Sequence, residues 1–230
     1  MESRYDRQLM LPEIGEEGQR KLAQAKVLIV GVGGLGSPLS TYLCGAGVGT
    51  IGLVDDDVVS ITNLQRQVLY DESQEGQSKV LCAKRRLESL NSDVKIEAYR
   101  MRLTADNAHE LIAKYDIVAD ATDNFAVRFI ISDACKALGK PFVHGAINGL
   151  DGQVAVLCKG KATYRTLFPD EEAVLAMPHP GKALAGVTPA VVGCVEASQV
   201  LQLICGYGEP LTDRLWTVNL RNMQSFIIDL

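Results

Sequence analysis

Several things are missing from this chain of 230 residues, and each absence removes a class of function. No long Lys/Arg run offers a positive stripe to a phosphate backbone, and the formal net charge is −5, so nucleic acid is not an expected partner. Arg85-Arg86 is only a local pair, which reads as a solvated helix face. No C-x-x-C pair occurs among the six cysteines, at 44, 82, 135, 158, 194 and 205, and the natural reading is a reduced cytoplasmic protein with free thiols. The opening Met1-Glu2-Ser3-Arg4-Tyr5-Asp6 is charged and no apolar signal core follows it. No apolar run approaches the roughly 20 residues of a membrane helix, so no membrane role is expected. What the chain does have is a hydrophobic share of 47%, enough for a sizeable core in one large domain spanning 1–230.

Apolar patterning supplies the fold class. Lys26–Val30 is a continuous apolar run that ends at glycine, the mark of a strand buried on both faces. A helix near Leu39–Ala46 and a strand over Thr50–Val54 follow. The helix Gln77–Leu90 carries Val80, Leu81, Ala83, Leu87 and Leu90 as its apolar stripe. Val94–Tyr99 and Asp116–Ala121 read as strands, Ala105–Lys114 and Phe125–Leu138 as helices, the last stopped by Gly139. Phe142–Ala146 and Gln153–Cys158 are strands, Ala190–Cys205 a helix, and Leu215–Leu220 and Gln224–Leu230 a final antiparallel pair. The βα alternation predicts an α/β, doubly wound, Rossmann-like sheet, mainly parallel, with antiparallel C-terminal strands. Residues 160–188 break the rhythm and are expected to form an irregular crossover loop.

Gly31-Val32-Gly33-Gly34-Leu35-Gly36 fits G-x-G-x-x-G between a strand and a helix. Such a turn lets backbone N–H groups approach phosphate oxygens closely. Asp55 ends the next strand, about 20 residues on, where a carboxylate commonly takes a ribose hydroxyl. Together Gly31, Gly33, Gly34, Gly36 and Asp55 point to a nucleotide, without choosing between NAD and ATP.

Charged residues at other strand ends make the choice. Asp55-Asp56-Asp57 leads into Asn63-Leu64-Gln65-Arg66-Gln67, Lys79 lies at the start of the next helix, and Thr122-Asp123-Asn124 follows the fourth parallel strand. Strand C-termini line the ligand crevice in an open α/β sheet, so these groups should face one site. Adenylating a carboxylate needs Arg and Lys against a triphosphate and a carboxylate-held Mg²⁺, whereas hydride transfer needs neither. Singly, each has a plainer reading: Arg66 a surface cation, Lys79 a helix-start residue, Asp123 the N-cap of the helix after it.

Arg4-Tyr5-Asp6-Arg7-Gln8, Gly31–Pro38, Asn63–Gln67, Gly76-Gln77-Ser78-Lys79 and Thr122-Asp123-Asn124 together resemble the ThiF/MoeB/HesA family, bacterial relatives of ubiquitin-activating enzymes. The similarity runs from Arg4 to about Leu230. It implies a homodimer with an N-terminal helical arm at 1–25, acting with ATP and Mg²⁺. The implied substrate is a ubiquitin-like sulfur carrier of the ThiS or MoaD kind ending in Gly-Gly. By the same resemblance Asp55 holds the ribose, Arg66 and Lys79 the phosphates, and Asp123 the Mg²⁺. Arg7 reaches the γ-phosphate from the other subunit, and Asn63 assists at the phosphates, with Asp57, Gln67 and Asn124 also bordering the nucleotide. The run Ala46–Thr50 and the Asp55–Asp57 triple lean toward ThiF, leaving the pathway open between thiamine, molybdopterin and another sulfur route.

The chain also departs from that family. Where many members carry the first zinc C-x-x-C it reads Thr163-Tyr164-Arg165-Thr166, and no second pair precedes Leu230, so no zinc is expected. The cysteine some relatives use before the last helix falls near Lys182, and no cysteine lies between Cys158 and Cys194. Cys194 reads as a buried structural thiol and Cys158 as a weak alternative nucleophile. The expectation is a reaction that stops at the acyl-adenylate, with a separate sulfur donor. His144 reads as a hydrogen-bonded core histidine near the ligand edge; His179 falls in the irregular loop. Two rivals stand beside this reading: an NAD-dependent oxidoreductase and a non-catalytic carrier-binding module.

Overall fold

The computed structural model describes residues 3–177 and 183–230. The N-terminal arm forms α1 (Asp6–Leu9) and α2 (Gly15–Gln24), and the alternation then runs β1 (Lys26–Val30), α3 (Gly36–Ala46), β2 (Thr50–Val54), α4 (Lys79–Leu90), β3 (Lys95–Tyr99), α5 (Ala105–Ala113), β4 (Ile117–Asp120) and α6 (Phe125–Leu138). β5 (Phe142–Asn148) and β6 (Asp151–Leu157) are followed by α7 (Tyr164–Leu167), α8 (Glu171–Ala176), α9 (Val187–Cys205), β7 (Arg214–Asn219) and β8 (Gln224–Asp229).

Among the described residues the strands form one eight-stranded sheet in the order β3-β2-β1-β4-β5-β6-β7-β8. β3, β2, β1, β4 and β5 are parallel, and β6, β7 and β8 add antiparallel ladders. The continuous apolar runs reflect burial on both faces. Val27 and Ile29 of β1 point into a core with Leu39, Leu43 and Val192, while Leu28 and Val30 point into a second core with Ile112 and Phe129. The sheet order reverses between β1 and β4, which leaves a crevice at their carboxyl ends.

Three expectations are corrected. The segment 160–188 is not irregular throughout, because Thr163 and Asp170 begin the short helices α7 and α8, the Asp170 carboxylate accepting from the Ala173 N–H at 2.9 Å. In α4 the buried stripe is Val80, Cys82, Ala83 and Leu87; Leu81 and Leu90 are exposed. The helix begins at Lys79 rather than Gln77, because an antiparallel bridge between Val58 and Ser78 holds the preceding residues extended. Third, α9 is by length and composition apolar enough to cross a bilayer, contrary to the reading that no such run exists. In this fold it packs against α2, α3, β5 and β6 as a core helix. Its apolar character is what a two-sided contact demands. His179 and Lys182 lie outside the described residues.

α9 also carries an unusual acid. Glu196 is fully buried against Gly145, and neither carboxylate oxygen has a partner among the described residues. Burial, reinforced by Asp120 and partly offset by Arg128, raises its pKa well above the ordinary carboxyl value of 4.5. The folded protein therefore holds this proton more tightly than the unfolded chain does. Its stability contribution is fully present below the unfolded value and is lost as pH rises toward the folded one, at up to about 1.4 kcal/mol per pH unit. Glu196→Gln is expected to leave low-pH stability near wild type and to raise the melting temperature at pH 8. A variant less stable than wild type at pH 8 would contradict this assignment.

Candidate functional site

The 31–36 turn follows from its glycines. Gly31 has φ +91°, and a Cβ there would sit 2.6 Å from the Ala121 carbonyl oxygen, so the β1 and β4 loops can touch only without a side chain. Gly36 begins α3 with Leu35 as an N-cap that offers no side-chain acceptor. Among the described residues the amides of Gly33, Gly34 and Leu35 have no hydrogen-bond acceptor. Three free N–H groups at a helix N-terminus form a ready anion site. Gln67 is buried beside Gly33 with its Oε1 unsatisfied, and Pro189 at the start of α9 closes over Gly34.

The register puts the acidic ends on either side of this turn. Val30 pairs with Val54 on one side and with Asp120 on the other. Asp55 therefore flanks Gly31, and its Oδ2 accepts the Val32 N–H at 2.9 Å while Oδ1 accepts from the Asp57 N–H at 2.8 Å. Burial raises the Asp55 pKa; these hydrogen bonds and Lys79 pull the other way. Lys79 has a side chain only 6% exposed, with Nζ 2.8 Å from Asp57 Oδ2. The carboxylates of Asp55, Asp56 and Asp57 lie within 4.8 Å of one another.

Arg66 sits on the one-turn segment after the 3₁₀ turn Ile61–Asn63, where the Asn63 carbonyl accepts from the Arg66 and Gln67 amides at 3.0 and 2.9 Å. Its side chain lies along Gly34 and donates to the Thr62 carbonyl at 3.1 Å. Among the described residues it has no acidic partner, which leaves its charge available to an anion.

Asp123 is exposed and has no hydrogen-bond or ion-pair partner among the described residues. The N-cap reading for it is overturned, because Asn124 caps α6, its Oδ1 accepting from the Val127 N–H at 3.2 Å. Asn124 thus has a structural duty besides its expected place at the nucleotide. Arg66 and Gln67 lie against the glycine turn, Asp55 bonds to it with Asp57 and Lys79 alongside, and Asp123 follows the β4 end whose Ala121 abuts Gly31. Arg7 does not join them within its own chain. It is exposed on α1, which docks at the far end of α3, where Gln8 donates to the Ala46 carbonyl at 3.1 Å and Tyr5 packs on Gly47. The 11 residues of α3 set that end about 16 Å from the glycine turn.

Under the crevice lies a buried polar cluster that the patterning passed over. Asp120, buried at the end of β4, accepts from the Thr122 N–H at 2.9 Å, the Thr122 hydroxyl at 2.6 Å and His144 Nδ1 at 2.9 Å. Arg128 Nε lies 3.2 Å from Asp120 Oδ2. Burial opposes ionisation of Asp120, but Arg128 and His144 hold its carboxyl below the usual range, while burial pushes the His144 pKa down and keeps the ring neutral. His144 is the core histidine expected. The missed signal was an aspartate closing the strand Ile117-Val118-Ala119-Asp120, where an unpaired acid would be costly.

The thiols offer little nucleophilicity. Burial raises the pKa of both Cys158 and Cys194, and Cys194 is only partly buried rather than fully so.

The family model described as "ThiF family" matches residues 5–230. The "Sulfur carrier protein adenylyltransferase" of Thermus thermophilus is 47% identical over 219 residues, covering 92% of this chain and 81% of that protein. The "Adenylyltransferase and sulfurtransferase MOCS3-1" of Zea mays is 47% identical over 214 residues, 92% of this chain but 46% of that protein, so the chain spans under half of the maize protein. Among solved structures, E. coli MccB with ATP superposes with a TM-score of 0.85 at 24% identity, over 100% of this chain and 71% of that one, a likeness of fold.

Proposed function

The chain belongs to the ThiF family, and from that premise we propose that it is an adenylyltransferase acting on the C-terminal Gly-Gly carboxylate of a ubiquitin-like sulfur carrier protein. The observation that carries this reading is the presence at the β1/β4 crevice of glycine-turn amides, Arg66 and Asp123 that have no partner of opposite charge or acceptor among the described residues, together with a buried Lys79. An NAD-dependent oxidoreductase would need no such set of charges, and that reading is not favoured.

In the proposed reaction the carrier carboxylate attacks the α-phosphorus of ATP, and the bond to the β-phosphate breaks. The products are carrier acyl-adenylate and pyrophosphate. Asp55 would take a ribose hydroxyl, and the amides of Gly33 and Gly34 with Arg66 and Lys79 would hold the phosphates and spread the charge of the transition state. Asn63 and Gln67 would border them; the unsatisfied Oε1 of Gln67 fits a nearby donor. Asp123 would hold Mg²⁺, and Asp57, paired with Lys79, would border the nucleotide. That ion, when bound, neutralises phosphate charge. The raised thiol pKa values support a reaction that ends at the acyl-adenylate, with sulfur supplied by a separate donor, and six free cysteines support a reducing, cytoplasmic setting.

The test is exchange of labelled pyrophosphate into ATP in the presence of a Gly-Gly-ending carrier. Exchange should require the intact Gly-Gly end and disappear when it is removed. Absence of exchange with any such carrier, together with NAD binding, would overturn the proposal; absence of exchange with tight carrier binding would favour a non-catalytic module.

A homodimer belongs to the same reading. Arg7 is too far from its own crevice to act there, and Met10, Leu11 and Tyr42 expose apolar surface near the same end of α3 for a second copy to cover. Arg7→Ala and Asp123→Ala should each lack exchange. Mixed after dissociation, they should recover about a quarter of wild-type exchange, since half the dimers then carry one intact site of two. No recovery would place Arg7 outside the partner's site.

A further inference from the structure

The residue assigned to Mg²⁺ has nothing of its own to hold it. Among the described residues Asp123 makes no side-chain hydrogen bond or ion pair that fixes it, and what sets its backbone lies just upstream, on the buried side of the loop. Asp120 binds Thr122 twice, through the amide at 2.9 Å and the hydroxyl at 2.6 Å. Arg128, one turn into α6, donates Nη2 to the Thr122 carbonyl at 2.5 Å and sets Nε 3.2 Å from Asp120 Oδ2. His144 on β5 donates Nδ1 to the same Asp120 oxygen at 2.9 Å. The His144 ring is wedged between Tyr164 and Phe142, with centroids 5.1 and 5.9 Å away. Thr122 is therefore held directly from β4 and α6, and from β5 through Asp120, immediately before Asp123.

Stability alone does not explain this arrangement. Buried ion pairs give little net stabilisation compared with apolar packing. Among the described residues this one also leaves polar atoms without a hydrogen-bond partner, at Arg128 Nε, His144 Nε2 and the Tyr164 hydroxyl. What it does fix is the position of one short turn. We propose that Asp120, Arg128 and His144 form a clamp that holds the Asp123 carboxylate in place for adenyl transfer, which makes them positioning residues for the reaction proposed above. They would touch neither ATP nor the carrier.

His144 allows a clean test. An asparagine amide can present an N–H near the place of the imidazole Nδ1–H, whereas alanine cannot. In the nucleotide-free protein, His144→Ala should speed hydrogen exchange of the 121–124 segment by about tenfold or more, with β1 unchanged. In pyrophosphate exchange it should lower kcat by about tenfold or more and raise the Mg²⁺ needed for half-maximal rate, as misplacement of a catalytic group does. The KM for ATP should stay within about twofold, because the glycine turn and Asp55 are untouched. His144→Asn should restore most of both effects, and Arg128→Lys, which loses the fork to Thr122 and Asp120, should reproduce the alanine phenotype.

Unchanged kcat and Mg²⁺ dependence per folded molecule in His144→Ala and Arg128→Lys would overturn the proposal, even if both melt earlier. A uniform loss of ATP affinity would overturn it as well. Should the wild type show no exchange with any carrier, the adenylation reading fails separately. Calorimetry of ATP binding at varied Mg²⁺ then decides the clamp: weaker Mg²⁺-dependent binding in the two variants supports it, and equal binding rejects it.

Discussion

Asp123→Ala is expected to abolish pyrophosphate exchange, by about 10³-fold or more, while leaving the protein as stable as wild type. Both halves follow from the same geometry. The side chain is exposed and unpaired among the described residues, so truncating it removes no contact, and such surface changes usually cost under about 0.5 kcal/mol. The α6 N-terminus keeps its cap, because Asn124 supplies it. Had Asp123 been the cap, alanine would cost about 1 kcal/mol and lower the melting temperature by several degrees. Asn124→Ala should show that loss instead, with a much smaller effect on exchange. Exchange at wild-type level in Asp123→Ala would remove the proposed metal ligand and with it the central role given to this loop. Asp123→Asn sharpens the result: it keeps the shape and loses the charge, so it should remain inactive if the charge is what matters.

Gly36→Ala should cost roughly 3 kcal/mol or more and eliminate ATP binding. A Cβ on Gly36 would lie 2.2 Å from the Gly31 carbonyl oxygen, and Gly31 cannot retreat because the Ala121 carbonyl already fills the space beside it. Both obstacles are backbone, so no rotamer change relieves them. The turn would have to open, separating β1 from β4 and dispersing the free amides at the start of α3. The same helix offers a control. Gly45 is exposed, with no atom within 4 Å of an added Cβ, and Gly45→Ala should stabilise by about 0.5–1 kcal/mol through helix propensity and reduced unfolded-state freedom. Urea unfolding of the two variants reads both signs. A Gly36→Ala protein with wild-type stability and ATP affinity would show that the turn does not have to close as tightly as this structure has it.

The contrast between these glycines marks how far the sequence could be read. G-x-G-x-x-G directly after an apolar run identifies the turn, because strand, turn and helix are neighbours in the chain and their geometry is local. It does not say which glycine would collide with what, since the obstacle at Gly31 belongs to the loop after β4, 90 residues away. The charged groups divide in the same manner. Asp55 announces itself by position at a strand end. Asp123 and Asn124 are adjacent residues of which either could cap a helix, and only the turn's backbone conformation assigns the cap to Asn124.

Composition and periodicity by themselves determined the βα alternation, the glycine turn, the location of Asp55 and Asp123 after strands, and that of Arg66 and Lys79 on the loop and helix start that follow β2. Each depends on spacing along a few residues and on which faces must be apolar. Tertiary structure alone decided that Asp120, Arg128 and His144 meet beneath Thr122, that Glu196 is sealed against Gly145, and that Arg7 lies at the wrong end of α3 for its own crevice. Those outcomes follow from strand order and helix packing, which bring together residues that local spacing leaves unrelated. In a low-dielectric interior such meetings set the charge state and position of each group.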